Sequence, residues 1–394
     1  MNAGASQNAV YLDYAATTPV ARVVIEAMSE CLAHPLSFAN PSSLHIAGRA
    51  AAALEQRARS QLASLLNARP RDLIWTSGAT ESDNLAIIGG ARFRAHRGRH
   101  LVTLRTEHKA VVDSFLALEK QGFDVTWLDP ASDGLLSITE LEAALRDDTQ
   151  LVSVMHVNNE TGVVQDIAAI AALCRDRDVL FHCDAAQSVG KLPLDLEALP
   201  VDLLSLTAHK FHGPPGIGAL YIAPRNGCGV QPLLYGGGQQ RRLRPGTLPI
   251  QLIVGCGLAA ELASQRREQD SHHLQGLHER LWEGIRHLPG LHLNGNVQSH
   301  FPGILNVSAE GVQGESLRLL LEPLCVASGS ACNSQSGEAS YVLRALGRST
   351  ELAESAIRFS FGRETRPADI DFACERYVFA VNRLRSLLPA TRRP

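Results

Sequence analysis

Short apolar runs alternate with amphipathic segments along most of this chain. Seven of these runs have the length and composition of buried strands: Asp72–Trp75, His100–Leu104, Val125–Leu128, Leu151–Val157, Val179–Phe181, Leu203–Leu206 and Ala219–Ile222. Segments with helical spacing lie between them, for example Asp166–Arg175. Because short buried strands separated by helices pair side by side, the pattern predicts an α/β fold with a doubly wound, mostly parallel seven-stranded sheet.

The pattern changes after residue 250. Ile250–Leu288 has the spacing of one long helix, and three short apolar runs follow among helical segments: Gly303–Val307, Cys325–Ala327 and Ile357–Phe359. This order predicts a second, smaller α+β domain. We expect a large domain over residues 16–260 and a small domain formed by residues 1–15 and 261–394.

Composition and charge narrow the function classes. Hydrophobic residues make up 45% of the 394 residues and the formal net charge is −3, which excludes a disordered chain and any bulk attraction to nucleic acid or an anionic membrane. Met1–Val10 lacks the pattern of a secretory signal, and no apolar stretch reaches the ~18 residues of a transmembrane helix. We therefore expect a cytoplasmic protein that contacts neither membrane nor nucleic acid directly.

Lysine and cysteine have unusual distributions. Only four of the 37 basic residues are lysines, at positions 109, 120, 191 and 210. The eight cysteines are scattered without a CxxC pair, which is neither a disulfide framework nor a zinc-ribbon spacing. The cysteine pattern leaves open a single reactive thiol among structural ones.

The segment Thr76–Asn84, with the sequence TSGATESDN, follows a predicted strand and precedes a helical run from Leu85. Small residues at a helix N-terminus let backbone N–H groups approach an anion, so Thr80 can contact a phosphate. The segment matches neither dinucleotide-binding nor P-loop spacing. An ordinary helix start capped by Ser77 or Thr80 explains the same residues.

Two more segments place reactive side chains at strand ends. Asp184 follows an apolar run, where a carboxylate can hold a heterocyclic nitrogen protonated or cap a helix. Lys210 lies where another strand gives way to a Gly/Pro turn, and a lysine in a dry, cationic pocket can form a Schiff base. A phosphate-binding turn, an acid and a lysine in this order are typical of a pyridoxal-phosphate enzyme.

The chain also resembles the cysteine desulfurases of the class V aminotransferase family, specifically the group I enzymes of iron–sulfur cluster assembly and nitrogen fixation. The resemblance extends from Tyr11 to about Arg363, and it is carried by these motifs: Tyr11–Pro19, Phe38–Ser43, Thr76–Asn84, Thr106–Val111, Met155–Gly162, the Asp184 and Lys210 segments, Gly236–Thr247, Ser328–Cys332, Tyr341–Gly347 and Ile357–Ser360. It implies a fold-type I PLP-dependent transferase. The family usually has a lysine in the turn after the Schiff-base lysine, where this chain has Pro215.

The resemblance implies a role for each matching residue. Lys210 would bind pyridoxal 5'-phosphate covalently and move the substrate α-proton, and His108 would stack on the cofactor ring and transfer a proton near the substrate sulfur. The other implied cofactor ligands are Asp184 at the ring nitrogen, Gln187 at the ring hydroxyl, Asn159, and the phosphate-site residues Ala79, Thr80, Thr207, His209 and Thr247, the last from the second subunit of a homodimer. Arg358, Asn159 and Asn40 would bind the substrate L-cysteine.

Cys332 is the implied nucleophile. Small polar residues surround it, which is typical of an exposed loop, whereas the other seven cysteines are expected to be structural. Its thiolate would take sulfur from L-cysteine, leaving L-alanine and an enzyme persulfide for a sulfur-acceptor or scaffold protein. The resemblance also implies that Cys332 can transiently ligate an iron–sulfur cluster; no resident metal is expected.

Three alternatives stay open. A selenocysteine lyase or another class V aminotransferase has the same fold and cofactor and depends less on a loop thiol. A metal-binding carrier protein is a function of a different class, in which His182, Cys183, His209 and His212 would converge, although neither HxxxH nor CxxC spacing supports it. A binding protein that keeps the fold without catalysis is disfavoured by the presence of Lys210, Asp184 and Cys332.

Overall fold

The computed structural model describes residues 9–328 and 339–388. Its largest sheet has seven strands in the order β2-β8-β7-β6-β5-β3-β4. The strands of this sheet are β2 (Leu73–Thr76), β3 (His100–Leu104), β4 (Asp124–Leu128), β5 (Thr149–Ser153), β6 (Leu180–Asp184), β7 (Leu203–Thr207) and β8 (Gly218–Ile222). The short strand β1 (Val10–Tyr11) precedes them in the chain and lies outside this sheet. Four of its six pairings are parallel, and only β8 runs antiparallel to its neighbours. The predicted mostly parallel α/β sheet is confirmed.

Helices cover this sheet and continue into the C-terminal part of the chain. They are α1 (Arg22–Ala33), α2 (Ile46–Leu65), α3 (Ala79–Phe93), α4 (Lys109–Glu119), α5 (Ile138–Ala144), α6 (Ile167–Asp176), α7 (Ile250–Ile285), α8 (Gly314–Leu321), α9 (Tyr341–Ala345), α10 (Thr350–Glu354) and α11 (Pro367–Ser386). Short 3₁₀ turns lie at Pro70–Asp72, Ala208–Lys210 and Gln240–Arg242.

Helix α3 begins at Ala79, six residues before the predicted start at Leu85. The N-cap residue is Gly78, at φ 155°, and no side chain caps the helix, so the predicted cap at Ser77 or Thr80 is wrong. The first turns bury polar residues such as Ser82 and Asp83, which hides the helical period from a reading based on apolar positions. The first N–H groups of α3 therefore have no capping side chain.

A four-stranded antiparallel sheet forms in the C-terminal part, in the order β12-β13-β10-β9. Its strands, with β11, are β9 (Leu291–Leu293), β10 (Ile304–Ala309), β11 (Leu324–Cys325), β12 (Ala327–Ser328) and β13 (Ile357–Ser360). The strand predicted over Cys325–Ala327 is in fact two strands, because β11 pairs with β1 while β12 pairs with β13. The division of one apolar run between two sheets depends on strands that are distant in the chain, so the local sequence pattern does not indicate it.

Two large apolar cores lie on either side of the long helix α7. Ile253, Ala260 and Ala263 in its first half pack into the core of the large sheet. Leu274 and Leu281 in its second half pack into the core around β10, β13 and α11. The predicted domain boundary after residue 260 falls within this helix, and the division into two domains stays a prediction.

The direction of the strands brings the predicted site together. Because β2 and β7 both run antiparallel to β8, β2 points the same way as β7 and its parallel neighbours. Thr76 and Thr207 both lie beside Gly218, where a Cβ atom would come within 2.7 Å of the Gly78 Cα atom. The turn before α3 therefore packs directly against the carboxyl edge of the sheet, the edge where open α/β sheets bind ligands.

Candidate active site

A cavity of about 450 Å³ opens at this carboxyl edge. Its lining includes the predicted site residues Ala79, Thr80, His108, Asn159, Asp184, Gln187, Thr207, His209, Lys210 and Arg358, together with Ala15, Ala16, Ser77, Gly78, Glu81, Met155, Val157, Ala186, Pro215 and Gly216. Residues from seven separate stretches of the chain thus share one cavity. Its volume is in the ordinary range for a small-molecule or cofactor site.

The N-terminus of α3 forms one end of the cavity. The Ser77 N–H donates to the Glu81 carboxylate at 2.7 Å, and Arg244 donates to the other oxygen of Glu81 at 2.9 Å. Glu81 is therefore neutralised by its own partners, while the uncapped N–H groups of the helix and the Thr80 side chain line the cavity. This end of the cavity fits a phosphate group.

Asp184 is the last residue of β6 and is buried. One carboxylate oxygen accepts the Ala186 N–H at 2.8 Å. Burial raises the pKa of Asp184, and the nearby His108 and Lys210 oppose that rise. A buried carboxylate of this kind gains a partner when a protonated ring nitrogen binds next to it.

Lys210 ends the 3₁₀ turn after β7. Its Nζ atom donates to the carbonyl oxygens of Ala15 and Ala16, the second at 2.8 Å. The other lysines have different surroundings, since Lys109 forms an ion pair with Asp113 at 2.7 Å and Lys120 is exposed. Lys210 is thus the lysine whose amine lines the cavity, as the sequence predicts.

Both histidines of the cavity are neutral near pH 7. His108 is the N-cap of α4, and its Nδ1 atom accepts the Ala110 N–H at 3.2 Å, so the proton of the neutral ring is on Nε2. Burial and Lys210 lower the pKa of His108. Burial and Lys210 also lower the pKa of His209 to about 4, and its Nδ1 atom lies 3.1 Å from the Thr17 hydroxyl.

Arg358, on β13, brings a buried positive charge to the opposite side of the cavity. Its two terminal nitrogens donate to the Asn159 carbonyl and to the Asp13 carboxylate, each at 2.7 Å. Its Nε atom is buried and has no hydrogen-bond partner among the described residues. Arg358 lines the cavity, so it offers a positive charge to an anionic ligand group there.

Sequence reasoning missed two buried acids beneath the cavity. The Asp83 carboxylate lies 3.6 Å from His182 Nε2, and Glu107 accepts the Met155 N–H at 2.9 Å. Burial raises the pKa of both acids well above the ordinary value, and repulsion from Asp184 adds to the rise. A signal was present, because Asp83 belongs to the TSGATESDN segment and Glu107 precedes His108.

Two predicted site residues of the described part of the chain, Asn40 and Thr247, do not line this cavity. Asn40 is exposed, and its side chain accepts the Ser42 N–H at 2.9 Å. Thr247 is also exposed. Cys332 lies outside the described residues. Asn40 and Thr247 therefore stay predictions that depend on the resemblance, Thr247 through a second subunit.

The residues of the proposed metal carrier have other partners. His182 lies between the Ser153 and Ser205 hydroxyls at 2.8 and 2.9 Å, and His212 Nδ1 lies 3.0 Å from the Pro19 carbonyl. Cys183 is fully buried, and burial raises the pKa of its thiol, which makes it inert. No group of three or more His, Cys, Asp or Glu residues in the described part of the chain is placed to hold a metal ion.

Within residues 9–328 and 339–388, no helix combines the length and the apolar character that crossing a membrane requires.

The donor set fits pyridoxal phosphate. The end of the cavity at α3 suits its phosphate, the carboxylate of Asp184 suits a protonated ring nitrogen, and Lys210 offers an amine for its aldehyde. The positive charge of Arg358 suits the carboxylate of an amino acid. A mostly parallel sheet with such a site at its carboxyl edge defines the fold-type I PLP-dependent enzymes.

Comparison with known proteins places the chain more narrowly. Residues 10–372 match the aminotransferase class-V family model, and the chain belongs to this family. It is 52% identical over 381 residues to the "Cysteine desulfurase IscS" of Photorhabdus laumondii subsp. laumondii, an alignment that covers 96% of this chain and 94% of that protein.

The chain is also similar to solved structures of related proteins. A "NifS-like protein" superposes with a TM-score of 0.88 at 34% identity, over 97% of this chain and 100% of that one. A structure titled "SspA in complex with cysteine" superposes with a TM-score of 0.79 at 39% identity, over 89% of this chain and 98% of that one. The predicted family, fold and PLP cofactor are confirmed.

Proposed function

We propose that this protein is a cysteine desulfurase, which removes sulfur from L-cysteine, releases L-alanine and holds the sulfur as a persulfide on Cys332. The observation that carries the proposal is the single cavity shared by Lys210, Asp184, the N-terminus of α3 and Arg358. The identity of 52% to a curated cysteine desulfurase over nearly the whole chain supports the choice of reaction.

The cofactor residues have distinct tasks. Ala79 and Thr80, with Thr207 and His209, hold the phosphate, and Asp184 keeps the ring nitrogen protonated. Gln187 donates to the ring hydroxyl oxygen. The bound cofactor supplies an electron sink for the pair of electrons left when the substrate loses its α-proton.

Two side chains move protons. Lys210 would hold the cofactor through its amine, and it would take and return the proton at the substrate α-carbon. Its position beside the Ala15 and Ala16 carbonyls keeps the amine at the cavity wall. His108 is neutral with its proton on Nε2, so it can donate a hydrogen bond to the substrate sulfur and exchange a proton there.

Arg358 and Asn159 orient the substrate. The guanidinium of Arg358 pairs with the substrate carboxylate, and the Asn159 carbonyl and Asp13 hold the guanidinium in place. An L-amino acid bound this way has its α-carbon fixed relative to Lys210. Fixing the reacting atoms in this way is a large part of the catalytic effect in such sites.

The sulfur step conserves atoms and electrons. The Cys332 thiolate attacks the sulfur of cysteine, an S–S bond forms, the carbon–sulfur bond breaks, and the released electron pair passes to the substrate carbon skeleton. Protonation of the β-carbon that has lost the sulfur, and return of the α-proton, give L-alanine. The net change converts L-cysteine and an enzyme thiol into L-alanine and an enzyme persulfide, which an acceptor or scaffold protein then consumes.

A second copy of the chain completes the site. Phe38 and Leu44 lie within four residues of Asn40 in the sequence and are 80% and 88% exposed, and Tyr235, 12 residues before Thr247, is 86% exposed. Large exposed apolar side chains mark protein interfaces. The free cysteines of the described residues favour the reducing cytoplasm as the working compartment.

The test compares the PLP-loaded wild-type protein with Cys332→Ala, in the presence of L-cysteine and a thiol reductant. We expect the wild-type protein to release alanine and sulfide in equal amounts. Cys332→Ala should keep the visible absorption of the bound cofactor and lose sulfide release by about 10³-fold or more, because the nucleophile is absent.

Cys325→Ala is the matched control, since Cys325 is an exposed cysteine of β11 and its loss should leave sulfide release unchanged. Normal sulfide release by Cys332→Ala would refute the role of Cys332. If Cys332→Ala turns over selenocysteine at the wild-type rate while the wild-type protein barely uses cysteine, the enzyme is a selenocysteine lyase instead.

A further inference from the structure

Lys191 is a partly buried lysine that no predicted motif explains. Its Nζ atom donates to the Gln187 side-chain carbonyl at 3.0 Å and lies 5.4 Å from the centre of the Phe301 ring. Burial, together with the positive charges of Lys210 and Arg358, lowers the pKa of Lys191 to about 7. A chain with only four lysines keeps one of them in a position that is costly for a cation.

The hydrogen bonds of Gln187 determine which way its amide points. Its Oε1 atom accepts from Lys191, and its Nε2 atom donates to the Ala15 carbonyl at 2.7 Å. A protonated lysine amine can only donate and a carbonyl can only accept, so both partners require the same orientation. Without Lys191, only the Ala15 carbonyl would distinguish the two ends of the amide.

The Ala15 carbonyl is shared with the reactive lysine, since Lys210 Nζ also donates to it. Lys191, Gln187, Ala15 and Lys210 thus form one continuous chain of hydrogen bonds. Gln187 lines the 450 Å³ cavity, whereas Lys191 is not part of its lining and borders a separate cavity of about 50 Å³. Lys191 therefore acts on the cofactor site through Gln187.

We propose that Lys191 is a positioning residue for the cofactor: it holds Gln187 with its N–H donor end, rather than its carbonyl end, beside Ala15 and Lys210. The remaining N–H of Gln187 is then available to the cofactor ring oxygen. This inference rests on the cofactor role of Gln187 in the proposed function and does not depend on cysteine as the substrate.

The test measures the dissociation constant of pyridoxal phosphate and the visible spectrum of the bound cofactor, both without cysteine. Lys191→Met removes the donor and keeps the length of the side chain. We expect the dissociation constant to rise about tenfold, as for the loss of one charge-assisted hydrogen bond, and the absorption band of the bound cofactor to shift. Lys120→Met, the same change at an exposed lysine, should alter neither.

A double-variant cycle separates positioning from a general effect of charge. In a Gln187→Ala background, Lys191→Met should have no further effect on cofactor affinity, because the side chain that Lys191 positions is gone. An equal tenfold loss in both backgrounds, or no loss in either, overturns the proposal. Protein that binds the cofactor normally but releases no alanine or sulfide from cysteine refutes the proposed function and leaves this inference intact.

The melting temperature of the apo form shows whether Lys191→Met also changes the stability of the fold. Replacing a buried cation by an apolar side chain is often neutral or stabilising, so the apo form of Lys191→Met should melt no lower than the wild-type apo protein. If it melts lower, Lys191→Gln provides the same comparison with an uncharged donor. Wild-type cofactor affinity in Lys191→Gln supports the proposal. The proposal is overturned if Lys191→Gln melts like the wild-type apo protein and still loses as much cofactor affinity as a folded Gln187→Ala control.

Discussion

A buried carboxylate lies at each end of strands β6 and β7, and the two carboxylates differ in their partners. At the amino end, Asp202 is buried and accepts two hydrogen bonds from Arg225, one of them at 2.7 Å, and the Phe181 N–H at 3.0 Å. At the carboxyl end, Asp184 is also buried and accepts a backbone N–H, and the cation near it is the cavity side chain Lys210.

The difference in partners indicates that Asp202 contributes to stability, whereas Asp184 contributes to ligand binding. The bond to Asp202 raises the pKa of Arg225, which is the sign of a charge pair that stabilises itself within the fold. Burial instead raises the pKa of Asp184, so its ionised form is held at a cost until a positively charged ligand group arrives. The carboxylate at the carboxyl end of the sheet therefore gains a charged partner when the cofactor binds. Cofactor binding should for this reason stabilise the folded protein.

The largest expected effect comes from Asp184→Asn. The variant cannot keep the ring nitrogen protonated, so turnover of cysteine should fall about 10³-fold, as for the loss of one essential electrostatic group. Removing a buried charge without a fixed partner should leave the apo protein at least as stable as the wild type. Alanine production and the thermal midpoint of the apo form measure the two effects. A less stable apo protein would contradict the contrast between the two strand ends.

Asp202→Asn should show the opposite behaviour. It removes the closer carboxylate partner of Arg225 and leaves Asp178, at 3.6 Å, so the free energy of unfolding should fall by about 3–5 kcal/mol, the usual cost of breaking a buried ion pair. The rate constant of the protein that remains folded should be unchanged, because Asp202 lies at the far end of the strand. Denaturant unfolding and alanine production per bound cofactor test this. Loss of turnover in folded protein would mean that the two ends are coupled.

The smallest effect is expected from Glu160→Gln, which tests a third buried acid. Glu160 accepts the Ser340 hydroxyl at 2.5 Å, and burial raises its pKa to about 7. The folded protein then binds the proton more tightly than the unfolded chain, so ionising Glu160 costs stability as the pH rises from about 4.5 to about 7. The full cost is up to about 3 kcal/mol, at 1.36 kcal/mol for each unit of pKa.

In Glu160→Gln this loss should disappear, because glutamine keeps an acceptor for Ser340 and does not titrate. The measurement is the difference in unfolding free energy between wild-type protein and variant, followed from pH 4.5 to pH 8. The difference should grow with pH in favour of the variant. A constant difference would mean that Glu160 keeps its ordinary pKa in the fold.

Much of the fold and site was predictable from local pattern. The seven strands were each found within a few residues, and Lys210, Asp184 and the turn before α3 were assigned to one edge because each follows an apolar run. The start of α3 was missed because Ser82 and Asp83 are polar residues on a buried face. The split between β11 and β12 was missed because it depends on partners far away in the chain, β1 and β13.

The sequence by itself determined which residues stand at strand ends and what chemistry they carry, because period and residue type are local properties. Only the tertiary structure decided the partners. The bond between Arg358 and Asp13 joins residues 345 positions apart, and the bonds that orient Gln187 bring Lys191 and Ala15 to one amide. Burial depth, the direction of a hydrogen bond and the pKa of an acid depend on what the rest of the chain packs around a side chain, and a local pattern does not contain that information.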